Sequence, residues 1–378
     1  MIIRNASVYA EDGIFVQKDI YIENGRFVDS ADKVTDGQEI SAEGCYAIPG
    51  LTDIHFHGCM GFDFCDGTRE AIDQMAAYEL SAGVTNIVPA TMTLSEEMLL
   101  NICSTAKAYA EEGFHEKRAR FQGINMEGPF LSMEKKGAQN AAYIHVPDMD
   151  MFERLNEASG NRVRLLDVAP EVEGSMELIE KCHDQVVISL AHTCADYDTA
   201  MKAFDAGASH MTHLYNAMPP YSHRAPGPIG AAADKEKVEV ELITDGVHIH
   251  PAAVRTTFKI FGDGRIILIS DSMRATGLED GDYTLGGQDV KVTGNRALLA
   301  DGTIAGSATN LLNCMRTAVL KMGIPLESAV KCATANPAKC VGIYDEYGSI
   351  STGKKADVVL LRKEDLTVKQ VILEGGLV

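Results

Sequence analysis

Hydrophobic and polar positions alternate with a period of two at both ends of the chain and gather into short solid apolar blocks between them. Asp19-Ile20-Tyr21-Ile22-Glu23 alternates, Asn24-Gly25 is a hairpin-turn signal, and Arg26-Phe27-Val28 returns. Together with Ile2-Ile3 and Val8-Tyr9, this predicts a small antiparallel sheet over residues 1–49. The far end repeats the pattern in Asp357-Val358-Val359-Leu360-Leu361 and in Val368–Leu373, punctuated by Gly348, Gly353, Gly375 and Gly376. Chain ends often lie close together, so residues 1–49 and 347–378 are expected to form one small β-sandwich domain.

Residues 50–346 change to strand followed by helix, repeatedly. The apolar blocks predict strands at Leu51–His55, Val84–Ala90, Phe121–Met126, Val163–Val168, Val186–Ala191, His210–Leu214, Val238–Thr244 and Ile266–Ser270. Helices are predicted at Arg69–Ser81, at Glu96–Glu111 with Thr93 or Ser95 as cap, at Asp196–Ala206 with a glycine stop, and at Ser307–Lys321. A glycine- and valine-rich stretch, Asp282–Ala300, interrupts the alternation as a β-like insertion. Eight such units over roughly 300 residues predict an α/β (β/α)8 TIM barrel. A doubly wound sheet is disfavoured, because no Gly-x-Gly-x-x-Gly turn follows the first strand.

Composition changes this picture little: 46% hydrophobic and 23% charged residues are ordinary for a globular chain of 378 residues. Charge excludes more. A net charge of −20 argues against nucleic acid and against anionic membranes as partners, and a small anionic ligand would need local cations. There is no bilayer-length apolar run, and Met1-Ile2-Ile3-Arg4-Asn5 lacks the pattern of a secretory signal, so a cytoplasmic setting is expected. The nine cysteines contain no Cys-x-x-Cys pair and are expected as reduced, mostly buried thiols; Cys59 and Cys65 lie near the histidine pair as candidate ligands, with core or loop packing the favoured reading.

In a TIM barrel the residues just past the strand C-termini build the site. Strand one ends in His55-Phe56-His57; residues two apart on a strand point the same way, which suits a clasp on one divalent ion. Strand three ends in Glu127-Gly128-Pro129, strand five in His192, strand six in His213 through Asn216, strand seven in Asp245 with His248 after it, and strand eight in Asp271. Singly, each has a bland reading: His192 and His213 as satisfied polar residues, Glu127 as a turn acceptor, Asp271 as a helix cap. Placed together at one edge, they point to a metal site, because imidazole and carboxylate are the ligands of catalytic zinc and related ions. His115, His145, His183, His210 and His250 lack this placement, although His250 shares a face with His248.

These residues carry a resemblance. His55-x-His57, the two later histidines, Asp271, and Gly348-Ser-Ile-Ser-Thr-Gly353-Lys-Lys-Ala-Asp357 resemble the metal-dependent amidohydrolases. Within that superfamily, Asn125-Met-Glu127-Gly-Pro-Phe130, Thr212-His213-Leu-Tyr-Asn216-Ala217-Met218 and Thr244-Asp245-Gly246-Val-His248 resemble the family of N-acetylglucosamine-6-phosphate deacetylases, nearly end to end. The resemblance implies hydrolysis of an N-acetyl group from a phosphorylated amino sugar, with one or two divalent ions (zinc foremost, iron, manganese or cobalt otherwise) in a homodimer. It implies Glu127, His192 and His213 as primary ligands, His55 and His57 as keepers of a second ion, and Asp271 as acid/base. It further implies phosphate contacts from Asn216, Ala217 and Arg224, the last able to reach across a dimer interface. His248 would meet the acyl carbonyl, and Ile304, Ala305 and Gly306 would line the sugar pocket. Where the family commonly has Gly-Ala-His, this chain has Gly137-Ala138-Gln139, which opens N-acetylgalactosamine 6-phosphate or another N-acyl amino sugar as an alternative. Other readings are a non-catalytic barrel, against which the full ligand set stands, and an amidohydrolase built on a strand-four carbamylated lysine. Leu165–Glu171 contains no lysine.

Overall fold

A computed structural model describes all 378 residues. Eight parallel strands form the barrel: Leu51–Asp53, Val84–Ile87, a third in two pieces (Arg120–Phe121 and Ile124–Met126), Val163–Val168, Val187–Leu190, His210–Met211, Glu239–Ile243 and Ile266–Ile269. The third breaks at Gly123, whose φ of +151° leaves no space for a side chain: a Cβ there would lie 2.5 Å from the Arg162 carbonyl oxygen. The first piece pairs with strand two and the second with strand four. The ring closes beyond the last strand, where the Asp271 N–H donates to the His55 carbonyl at 2.9 Å and the His57 N–H to that of Ser272 at 2.8 Å.

Helices sit where their caps put them. Arg69–Ser81 and Glu96–Glu111 match the sequence reading, and Ser95 caps the second by accepting from the Met98 N–H. Asp196 caps Tyr197–Asp205. The helix expected from Ser307 starts later, at Leu311, because Asn310 takes the cap and accepts from the Asn313 N–H. The Asp282–Ala300 insertion is a three-stranded antiparallel sheet, Gly281–Leu285, Gln288–Thr293 and Arg296–Leu298. No helix is long and apolar enough to cross a membrane.

The termini build a separate sheet domain. Its strands follow one hydrogen-bonded path, from Arg26–Val28 through Phe15–Glu23, Ile2–Tyr9, Cys45–Pro49, Val358–Arg362 and Val368–Leu373 to Gly376–Leu377. The Asn24-Gly25 turn is present, with φ of +51° and +73°. The sheet is not purely antiparallel, as the alternation alone suggested. Ile2–Tyr9 bulges at Asn5 and runs parallel first to Glu39–Ser41 and then to Cys45–Pro49. Fifteen buried residues, among them Ile3, Val8, Ile20, Phe27 and Val358, form its own core. Arg120 locks this domain to the barrel: its guanidinium donates to Asp357 and Glu374 and lies over the rings of Phe114 and Tyr347.

One half-buried acid works against the fold. Burial lifts the Glu239 pKa from 4.5 to about 7, more than Cys340 and Lys339 lower it. Below pH 4.5 the group is protonated folded or unfolded and costs nothing. As pH rises from 4.5 to 7 the unfolded chain loses this proton first, so stability falls, by about 3 kcal/mol in full. Glu239→Gln is therefore expected to raise the melting temperature at pH 8 and leave it unchanged at pH 4, as calorimetry at the two pH values would show.

Candidate active site

Strand one stops at Asp53, so His55 and His57 stand in the loop beyond it rather than on the strand. They still face one place, with ring centroids 5.5 Å apart, while Phe56 turns into the core. His57 Nε2 lies 3.2 Å from Asp271 Oδ1 and 3.3 Å from Glu127 Oε2; His55 Nε2 is 3.8 Å from Asp271 and 3.7 Å from Glu127 Oε1. On the other side of the same glutamate, Oε1 lies 3.0 Å from His192 Nε2 and 3.1 Å from His213 Nε2. The result is two adjoining groups, His55–His57–Asp271 and Glu127–His192–His213, every member buried. The backbone is bent to bring them there. His192, His213 and Asp271 sit at φ of +42°, +29° and +48°, left-handed values that side chains hold only when the surroundings fix them. Gly128 follows Glu127 because any Cβ would strike Thr93 Oγ1 at 2.2 Å, and Gly306 because a Cβ would press on the Asp271 carbonyl at 3.0 Å.

The donor set fits a divalent ion. His192 Nδ1 donates to the Lys135 carbonyl at 2.8 Å, and His55 Nδ1 to Glu241 Oε2 at 2.9 Å. Those bonds leave both Nε2 atoms as lone pairs. His55 Nε2 has no hydrogen-bond partner, and His192 Nε2 faces His213 Nε2 at 3.2 Å. Lone pairs converging on two carboxylates are satisfied by a cation, and the acceptors behind His55 and His192 are the usual support of a metal ligand, whereas Nδ1 of His57 and of His213 has no partner. The same two carboxylates draw positive charge onto the histidines when no ion neutralises them: burial pushes His57 down, but Asp271 and Glu127 outweigh it and raise its pKa to about 10. Burial opposes the charges of Glu127 and Asp271, yet the surrounding histidines hold both below the usual carboxylate range.

A cavity of about 530 Å³ opens above the groups, walled by Lys135, Lys136, Ala138, Asn216, Ala217, His248, Ile304 and Gly306 among others. His248 Nδ1 donates to Asp245 Oδ2 at 2.8 Å, so its Nε2 carries a proton only in the cation. Burial disfavours that form, but Asp245 more than restores it. Gln139 borders the cavity but is only 2% exposed, its amide donating to Glu127 Oε2 at 2.7 Å and accepting from the Thr93 N–H at 2.7 Å. Two sequence expectations fall elsewhere. Ala305 is buried behind the wall. Arg224 lies on an exposed loop and does not line the cavity of its own chain. His250 caps the helix Pro251–Phe261 instead of supporting the site. Cys59 and Cys65 are packing residues, contacting the Met75 carbonyl and the Met92 N–H. The sequence reading missed Glu241 and the roles of Asp245 and Lys135. An acid inside the apolar run Val240-Glu241-Leu242-Ile243 was the available signal for the first.

The sequence pattern of the amidohydrolase family matches residues 46–378. The chain belongs to the amidohydrolase family. This amidohydrolase is 38% identical over 332 residues to an N-acetylglucosamine-6-phosphate deacetylase of Bacillus subtilis (strain 168), covering 87% of this chain and 84% of that one. It is 33% identical over 330 residues to an N-acetylgalactosamine-6-phosphate deacetylase of Escherichia coli O157:H7, covering 87% and 86%. Among solved structures it superposes on an N-acetyl-D-glucosamine-6-phosphate deacetylase from Mycobacterium smegmatis with a TM-score of 0.92 at 32% identity, covering 100% of both chains. Membership in this family carries the expectation of a divalent metal, which the two buried groups are built to receive.

Proposed function

We propose that this amidohydrolase removes the acetyl group of N-acetyl-D-glucosamine 6-phosphate, yielding D-glucosamine 6-phosphate and acetate in amino-sugar catabolism. The carrying observation is the pairing of Glu127–His192–His213 with His55–His57–Asp271 on the floor of one cavity. Glu127, His192 and His213 would hold a first divalent ion, and His55, His57 and Asp271 a second. Zinc suits these donors best, and iron, manganese or cobalt also fit. Such an ion supplies Lewis acidity, which lowers the pKa of water from 15.7 to about 7.

The chain's own groups do the rest. Asp271, kept ionised by His57 and His55, takes a proton from the attacking water and returns it to the departing amine. His248, with Nδ1 committed to Asp245, offers Nε2–H to the acyl oxygen as charge develops there. A lost donor of this kind costs on the order of 10²–10³ in rate. Asn216 and Ala217 receive the phosphate, and Ala138, Ile304 and Gly306 shape the sugar side, with Ala305 packed behind them and Gln139 in the wall bonded to Glu127. Arg224 serves the neighbouring site of a homodimer, which accords with its exposure on its own subunit. Arg224→Ala is expected to raise KM for the phosphorylated sugar roughly 10–100-fold, the worth of a charge-assisted hydrogen bond, with a smaller change in kcat; an unchanged KM removes it from the site.

In domain terms, residues 1–49 and 347–378 form the sheet domain and 50–346 the hydrolase barrel. A cytoplasmic setting accords with nine cysteines that are all unpaired. N-acetylgalactosamine 6-phosphate is the second reading, favoured by the relative so named. The argument for it from Gln139 weakens, since that side chain is spent on Glu127 and Thr93. Rates on N-acetylglucosamine and N-acetylgalactosamine, each with and without the 6-phosphate, decide the matter. The glucosamine phosphate should be fastest, and a faster galactosamine phosphate would reverse the assignment.

A further inference from the structure

We propose that Glu241 is a positioning residue that ties the two ligand groups together from below, through a single carboxylate oxygen. The proposal rests on reading His55 and His213 as ligands. Glu241 lies on the seventh strand, fully buried, and takes no part in the steps above. Its Oε2 accepts from His55 Nδ1 at 2.9 Å and from the His213 backbone N–H at 3.0 Å. His55 belongs to one group and His213 to the other.

Each bond has a distinct consequence. The bond to His55 fixes its tautomer, so that Nε2 presents a lone pair to the site. The bond to His213 helps hold that residue at φ +29°, and the Glu241 carbonyl accepts from the next N–H, Leu214, at 2.9 Å. One residue therefore brackets the bend that aims His213. Glu127 joins the groups from the cavity side, and Glu241 joins them from the barrel floor. The second carboxylate oxygen, Oε1, has no hydrogen-bond partner and stands 3.9 Å from His210 Nε2, beyond bonding range. His210 is itself held by Ser189 Oγ, 2.9 Å from its Nδ1.

This asymmetry makes the role separable from charge and from packing. Glutamine can place its amide oxygen where Oε2 sits, keep both bonds, and turn its NH2 toward His210. Alanine loses both bonds. Leucine loses both while refilling most of the volume. The test is competition of each purified variant against a chelator for zinc, with metal counted per folded subunit and the metal-free proteins compared by melting temperature. Glu241→Ala and Glu241→Leu are expected to bind zinc 10–100-fold more weakly, as loss of such outer support does elsewhere, and to retain fewer ions than wild type. Glu241→Gln is expected to stay within about fivefold of wild type. Equal zinc affinity in wild type, Glu241→Ala and Glu241→Leu overturns the proposal, whatever their melting temperatures, because it leaves Glu241 a role in folding only. A wild-type protein that takes up no zinc, iron, manganese or cobalt overturns the ligand reading itself and this inference with it.

Discussion

Replacing Asp271 with asparagine is expected to cut turnover at least ~10³-fold while the protein keeps the ion of the Glu127–His192–His213 group. General acid–base catalysis by one group is typically worth 10²–10⁴, and here one carboxylate is asked for two proton transfers. Asparagine has nearly the same shape and keeps an oxygen toward His57, 3.2 Å away in the native site, but it cannot take up a proton. The site is arranged to keep Asp271 ionised: burial opposes its charge, and the hydrogen bond from His57 with the nearby His55 prevails. Its position is enforced by the backbone, through the bonds from Asp271 N–H to the His55 carbonyl and from Ser307 N–H to the Asp271 carbonyl at 2.6 Å. Steady-state rates and metal analysis on one sample check this. Turnover within tenfold of wild type removes Asp271 as acid/base, and loss of all metal makes it a ligand first.

Glu127→Ala is expected to lose metal at both groups and all measurable activity, whereas His55→Ala combined with His57→Ala is expected to lose about one ion per subunit and retain some turnover. The difference follows from geometry. Glu127 spans the groups, with Oε1 toward His192 and His213 and Oε2 toward His57. His57 meets Asp271 Oδ1 at 3.2 Å and Glu127 Oε2 at 3.3 Å, and His55 Nε2 stays 3.7 Å or more from both acids, so their loss leaves the bonds of Glu127 Oε1 to His192 and His213 in place. Removing Glu127 also strips the acceptor from Gln139, leaving a buried amide unpaired. Equal metal loss in the two variants would mean a single shared site rather than two adjoining ones.

Much of this was legible in the sequence because parallel barrel strands are buried on both faces and read as apolar runs. Val163–Val168 and the helices Arg69–Ser81 and Glu96–Glu111 carry unmixed signals and were placed correctly. The rule that strand ends make the site then collected Glu127, His192, His213, Asp271 and the strand-one pair. What stayed hidden depends on contacts far apart in the chain. The break at Gly123 is set by Arg162, and the parallel pairing of Ile2–Tyr9 by the return of Glu39–Ser41. The burial of Gln139 is set by Glu127 and Thr93, and the place of Glu241 by a histidine 186 positions away. No periodicity reports such partners. An acid inside an apolar strand does mark a demand for one.

The most direct test of the account is acetate release from N-acetyl-D-glucosamine 6-phosphate by the purified protein, with metal content measured on the same sample before and after a chelator. The account predicts acetate and D-glucosamine 6-phosphate in equal amounts, one or two divalent ions per subunit, loss of activity on chelation and its return when the ion is restored. Full activity in metal-free protein, or no acetate from the metal-loaded one, would contradict it.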